Sequence, residues 1–395
     1  MVDATASFRD RAGAAARAFR HQVAVLSLEE LGAYARLAEA GIHAPAQGAL
    51  WIEEWVATTS PDGFIVLVET DGRPAWALAL EIVRFGPFRV ARLMGGRHAN
   101  GNFPAADPAF LRSADFDATA IPAAIRAVRK DVDAVVLERL APDLDGTPNP
   151  LLPLATFPSP NVSLAVSLAG GFDALLLRAS GKRKRKKHRS QIRKFEAAGG
   201  FRRIQAATPE EVQRLLDGFF AMKEHRFRKM GIANVFAEAE VRTFFRALFR
   251  DALEESPPPF VLHGLEVGDE LRAVTGSSRS GRRLVCEFGA IADDDLAHAS
   301  PGDFLFFENI SEACRDGMDV YDFSVGDEPY KRLWCDLETR HFDVAMPLTA
   351  KGRLLVAGLM LKARATSGIK NSPTIWKLAK MLRRRAAGQP QQDAD

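Results

Sequence analysis

The stretch that most constrains this chain is residues 284–334, LVCEFGAIADDDLAHASPGDFLFFENISEACRDGMDVYDFSVGDEPYKRLW. An apolar run with β-type residues, 284–291, leads into a polar loop carrying Asp293, Asp294 and Asp295. A strong helix start follows: Ser300, Pro301 at the first helical position, and Asp303 three residues after the serine. The helix is expected over 301–316, with Gly317 as its left-handed stop. A short strand, 320–324, then runs into the turn Gly326-Asp327-Glu328-Pro329, followed by Tyr330 and Lys331. Such a strand–loop–helix–strand unit crowds polar residues at its loop ends, where open α/β sheets place ligands.

A chain of 395 residues exceeds one ordinary domain, so two are expected. Lys and Arg number 53 and Asp and Glu 50, so no global field implies a nucleic-acid partner, and the basic residues are clustered instead. Cys286, Cys314 and Cys335 lack C-x-x-C spacing and fall inside expected elements, which reads as buried free thiols in a reducing compartment. No apolar run approaches the roughly 20 residues of a membrane span, and the N-terminus has no signal-peptide core. A cytoplasmic protein is expected. The eight histidines lack ligand spacing, so no metal site is expected. Neither a P-loop nor a G-x-S-x-G elbow is present.

Residues up to about 24 read as peripheral. Ser27 and Glu30 suggest a capping box for a helix ending near Gly41. Trp51 and Trp55, at i, i+4 spacing, read as core aromatics. Strands are expected at 64–69, 75–82 and 88–94, the first two joined by an Asp71-Gly72 hairpin. The Gly/Asn-rich loop 95–104 groups Arg97, His98, Asn100 and Asn102, and reads as a site-lining segment or a plain turn. A helix near 121–130 and a strand at 134–139 complete this half; the Pro-rich stretch 142–160 reads as linker. After a strand at 163–168, seven Lys or Arg fall between Lys182 and Arg189. A solvated basic helix, an anionic-ligand face including Lys187 and Arg189, and nucleic-acid contact are the readings open for it. No stacking aromatics interleave the charges, as single-strand binding would need. Thr208-Pro209-Glu210-Glu211 caps a helix whose apolar stripe is Val212, Leu215, Leu216, Phe219 and Phe220. The next helix repeats that stripe, and strands at 260–266 and 271–277 flank Gly268-Asp269. The tail interleaves Ile375, Trp376 and Leu378 with Lys377, Lys380 and Arg383, a basic amphipathic helix for packing or peripheral membrane contact.

The Ser300-Pro301-Gly302 helix start and the run from Asp322 to Lys331 resemble the acyltransferase domain of the GNAT superfamily. Bacterial cellulose- and exopolysaccharide-biosynthesis acetyltransferases carry similar motifs, and the Fem-type aminoacyl transferases pair two GNAT-like halves. The resemblance implies an α/β (α+β) fold of two GNAT-like halves, each a mixed, mainly antiparallel sheet flanked by helices. It divides the chain into an N-terminal half, 1–160, an acetyltransferase domain, 161–348, and a basic helical tail, 349–395. It further implies acetyl-CoA or another acyl-CoA as co-substrate and an amine or hydroxyl acceptor, plausibly on a saccharide precursor. Aminoacyl-tRNA as donor, and a non-catalytic accessory protein, are the alternatives.

Acyl transfer from a thioester needs a phosphate cradle, a base for the acceptor and an acid for the leaving thiolate. The start of the 301–316 helix, with Ser300, Pro301, Gly302 and Asp303, is the expected cradle. It departs from the R/Q-x-x-G-x-G/A pattern usual in the family: Ala299 stands at the first position and Phe304 at the last, and Asp303 adds negative charge. Glu287, mid-strand among apolar residues, is expected to act as base or to pair with Arg279, Arg282 or Arg283. Tyr330 could protonate the thiolate. Lys331 could stabilise an oxyanion and is the expected functional member of the pair, oriented by Asp322 and Glu328. Gly326, Asp327, Asn100 and Asn102 complete the expected acceptor side.

Overall fold

The computed structural model describes residues 21–112 and 117–371. The first half contributes β1 (His21–Leu26), α1 (Leu31–Ala40), α2 (Ala49–Thr59), β2 (Gly63–Thr70), β3 (Arg73–Phe85), β4 (Phe88–Leu93), α3 (Ile121–Val128) and β5 (Ala134–Leu140). After β6 (Phe157–Ser167) and α4 (Gly171–Arg178) come α5 (Gly181–Ala197), β7 (Phe201–Gln205), α6 (Pro209–Met230), α7 (Ala239–Asp251), β8 (Phe260–Val267), β9 (Glu270–Ser280), β10 (Arg283–Ile291), α8 (Pro301–Arg315) and β11 (Val320–Val325). β12 (Leu337–Pro347) and α9 (Ala350–Asn371) close the described chain.

These strands form one sheet in the order β1-β2-β3-β4-β5-β12-β6-β11-β10-β9-β8-β7. The order is nearly palindromic: strand, two helices, three antiparallel strands, a helix and a parallel strand occur twice. Nine of the neighbouring pairs are antiparallel; β4 with β5 and β10 with β11 are parallel. The last strand of each half is exchanged. β6 follows the first half but pairs with β11 of the second, while β12 follows the second half and pairs with β5 of the first. β6 and β12 pair with each other at the centre. The fold is thus the mixed, mainly antiparallel architecture expected, with its two sheets fused. The division at 160 falls inside β6, and the expected linker holds strand from Phe157 onward.

Local chemistry explains most elements. Asp71 and Gly72 both take positive φ, as a tight hairpin requires. Thr208 accepts from the Glu211 N–H at 3.3 Å, and Gly231 stops α6 in the left-handed region. Ser27 makes no side-chain cap; a 3-10 turn precedes α1 instead, and the expected peripheral segment ends in a paired strand, β1. Trp51 and Trp55 are buried at 1% and 5% exposure. Both meet Phe244 of α7 edge-on at 4.9 Å, so their burial joins the two halves. Gly352 of α9 has no room for a side chain against the Asp133 carbonyl, which brings the helix close to β5. The basic residues 377–385 lie outside the described residues, so their amphipathic reading has no structural counterpart here.

Candidate active site

β10 and β11 are hydrogen-bonded only over Arg283–Val285 and Val320–Asp322, then diverge. A cavity of about 570 Å³ fills the gap between them. Its walls come from β9, β10, α6, the start of α8 and the turn after β11. The opening follows from the register of β10. Gly276 faces Phe288 and Ser277 faces Cys286, so Glu287 is the extra residue of a β-bulge. Bulges bend a strand and re-aim a side chain. Gly276 is required opposite it, because a Cβ there would meet the Phe288 ring at 2.2 Å.

Glu287 lies at the cavity wall. Ser278 Oγ donates to its Oε1 at 2.6 Å, and Asn100 Nδ2 donates to its Oε2 at 3.1 Å. Burial pushes its carboxyl up to about 7; the two hydrogen bonds oppose this, and the Asp322 charge adds to it. The expected arginine partners are elsewhere: Arg279 pairs with Asp316, Arg282 with Asp319 and Arg283 with Asp322. The carboxylate therefore has hydrogen-bond donors but, among the described residues, no bonded cation. Asn100 reaches it from the other half of the chain. The Arg139 guanidinium donates to Arg97 O, Ala99 O and Asn100 Oδ1 at 2.9, 3.1 and 3.3 Å, which turns the Asn100 amide nitrogen towards Glu287.

The start of α8 differs from the expected cap. Ser300 takes a left-handed conformation and makes no side-chain cap. Its carbonyl accepts from the Asp303 and Phe304 N–H groups at 3.1 and 3.2 Å. Pro301 has no N–H, so Gly302 N–H is the donor left without a partner among the described residues. Ser300, Gly302 and Asp303 line the cavity, and Pro301 is buried behind them. Lys187 pairs with Asp303 at 3.0 Å, which offsets the acidic charge at the helix start.

The inner face of the basic helix is built into the domain. Gln191 Nε2 donates to the Ala299 and Ser300 carbonyls at 2.9 Å each. His188 stacks on Phe304 and Phe307 and bonds Glu308 at 2.6 Å. Lys184 donates to Leu333 O at 2.7 Å and lies 3.9 Å over the Trp334 ring. Lys182, Arg183, Lys186, Arg189 and Arg193 form the exposed outer face. Arg189 is therefore not in the cavity.

Tyr330 and Lys331 sit on one helical turn, Pro329–Arg332, not on extended chain, so both line the cavity. Their environments differ. Lys331 is 4% exposed, and its Nζ donates to Ser324 O at 3.2 Å and Val325 O at 3.1 Å and pairs with Glu328 at 3.0 Å. Its three N–H groups are spent holding the end of β11. Tyr330 is 42% exposed, its ring stacked on Phe306, and burial of its hydroxyl raises its pKa. Glu328 is the carboxylate beside Lys331, whereas Asp322 is held by Arg283 and by Ser163. Asp327 pairs outward with Arg332, and Gly326 makes the tight turn, with its N–H on Val162 O. Asn102 is a buried loop anchor, donating to Glu138 O and accepting from Gln47.

Sequence reasoning missed Ser278, Lys223 and Arg226. The last two border the apolar stripe of α6, and both line the cavity. Burial, helped by Arg226, lowers Lys223 to about 8. Cys286 is also in the cavity wall, its thiol pushed up to about 12 by burial. Cys314 and Cys335 are only half-buried. Among the described residues, no group of three His, Cys, Asp or Glu is placed to hold a metal, and no helix is long and apolar enough to cross a membrane.

Residues 182–332, which contain the splayed strands, most of the cavity lining and nearly all of the basic helix, match the acetyltransferase (GNAT) domain family. That match makes residues 182–332 a GNAT-type acetyltransferase domain. The crystal structure of FemX is similar over 82% of this chain and 96% of that one, with a TM-score of 0.54 and 11% identity. The C-terminal domain of a protein described as a lysylphosphatidylglycerol synthetase, from Agrobacterium fabrum, is similar over 85% and 95%, with a TM-score of 0.51 and 12% identity. No curated protein matches the sequence.

Proposed function

We propose that this protein moves an acyl group from acyl-CoA, acetyl-CoA in the simplest case, to an amine or hydroxyl, with Glu287 as general base. The observation that carries this reading is Glu287 itself: a bulge-displaced carboxylate with no bonded cation, near pKa 7, in a large cavity between diverging strands. A base with that pKa is half ionised at neutral pH, which suits proton abstraction. The donor's phosphates suit the Gly302 N–H at the start of α8 and the cations Lys187, Lys223 and Arg226 on the same walls. Tyr330, with its hydroxyl free at the cavity, is the proton donor for the leaving thiolate. Lys331 is a positioning residue that shapes the wall. An acceptor on a saccharide, a role in polysaccharide or cell-envelope synthesis and a cytoplasmic setting rest on the resemblance of the motifs at 300–302 and 322–331.

The donor assignment is tested at Gly302. Gly302→Asp places a charge at the free N–H and is expected to abolish acetyl-CoA binding in calorimetry while circular dichroism shows a folded protein. Unchanged affinity would remove the helix start from the donor site.

The outer face of α5 favours a second reading, a charged tRNA as donor. Lys182, Arg183, Lys186 and Arg189 have no carboxylate partner among the described residues. Replacing all four with Gln is expected to leave stability within about 1 kcal/mol, because exposed charges contribute little. Under the tRNA reading it lowers the slope of log affinity against log salt by about 3 to 4. Under the acyl-CoA reading, donor affinity barely changes.

A further inference from the structure

The helix α9 lies far along the chain from the cavity walls and carries two apolar faces. The inner one is ordinary core: Leu355 and Val356 are buried with Val90 of β4, Ala134 of β5 and Ala345 of β12, and Leu359 and Met360 pack against them. The outer one has no such partner. At about 100° per residue, Leu354, Ala357, Gly358, Leu361 and Ala365 fall within about 100° of arc on the opposite side of the helix. All five are exposed, Leu354 at 72% and Leu361 at 70%. A Cβ built on Gly358 would meet nothing within 4 Å.

The charges beside this stripe are of one sign. Residues 350–371 contain no Asp or Glu. By the same helical geometry Arg353 and Arg364 fall on one edge of the stripe, and Lys351 and Lys362 on the other. Arg353, Lys362 and Arg364 are exposed and pair with no carboxylate among the described residues. Lys351 pairs with Asp133 at 3.1 Å, donates to Pro87 O and lies 5.5 Å over the Phe88 ring, which ties the β3–β4 hairpin to the start of α9. The tip of that hairpin adds Phe85, 57% exposed, next to the exposed Arg84. The acids that meet β4, Asp62 and Asp131, are held by Arg89 and Arg129.

We propose that the outer face of α9 docks this protein on an anionic membrane surface, lying in the interface rather than crossing it. The proposal is independent of the reading of the cavity. An apolar stripe with cations along both edges matches a lipid boundary: Leu354 and Leu361 enter the acyl edge, while the long Lys and Arg side chains reach the phosphates. A second copy of this chain fits the stripe poorly. Two such faces brought together would set Arg353, Lys362 and Arg364 against their own counterparts, with no acid on the helix to offset them.

The test sediments the full chain with vesicles of phosphatidylcholine alone, or with about one-third phosphatidylglycerol. Binding to the anionic vesicles is expected to be at least about tenfold tighter and to weaken with salt. Leu354→Gln with Leu361→Gln is expected to weaken it about tenfold at unchanged Tm, since both side chains are already exposed. Arg353→Gln with Lys362→Gln and Arg364→Gln is expected to remove most of the preference for the anionic lipid. Both variants keep the basic residues 377–385, so a loss in them belongs to α9. Equal binding to the two vesicles, or anionic binding that survives the leucine variant, would overturn the proposal. A lowered Tm in that variant would overturn it too, because another part of the chain would then cover the face. So would a dimer, seen by sedimentation velocity, that the leucine variant dissociates.

Discussion

Glu287→Gln is expected to lower acyl transfer by about 10²–10⁴-fold while the variant still binds acetyl-CoA, the scale for losing a general base. The pH dependence carries the sharper signature. Glu287 is ionised above about 7, so kcat/KM in the wild type should rise with pH and level off above that value. The variant should lose this limb. Stability moves the other way. A carboxyl whose folded pKa is raised favours the folded state only while protonated, so its contribution falls as pH rises from the unfolded value near 4.5 to about 7. The Gln variant, which cannot ionise, is expected to be more stable than the wild type at pH 8, by about 1–3 kcal/mol after allowance for partial solvent access, with the difference fading towards pH 5. Urea melts at the two pH values read it directly. A Gln variant with full activity and an unchanged pH profile would remove Glu287 from the chemistry.

Lys331→Met is expected to cost about 2–4 kcal/mol of stability, because it strands the Ser324 and Val325 carbonyls in a buried position without a donor. Transfer by the folded fraction should also fall, since those two residues form the wall beside Glu287 and Tyr330. Thermal unfolding and single-turnover transfer separate the two effects. A fall in transfer of about 10²–10³-fold with stability unchanged would instead mean that the ammonium acts directly on the developing oxyanion. The buried amine and its carbonyl partners argue for the positioning role.

Much of this protein was legible along the chain. Hydrophobic periodicity marked α6 and α7, paired turn residues marked two hairpins, and Pro301 marked the start of α8, because these signals are local and arise from backbone conformation and one-sided burial. The motif at 300–302 and 322–331 pointed to the family, and Glu287 stood out as a charge inside an apolar run. Long-range pairing stayed hidden. No local signal reveals that β6 and β12 exchange halves, since a strand's own residues specify an extended chain but not its neighbour. The bulge that aims Glu287 depends on the register of β9 against β10. Asn100, 187 residues before Glu287, reaches it only because the halves fuse. The same holds for Lys331, whose sequence neighbours suggested a catalytic cation. Burial against the end of β11 instead commits each of its donors to structure, while Tyr330 is left facing the cavity.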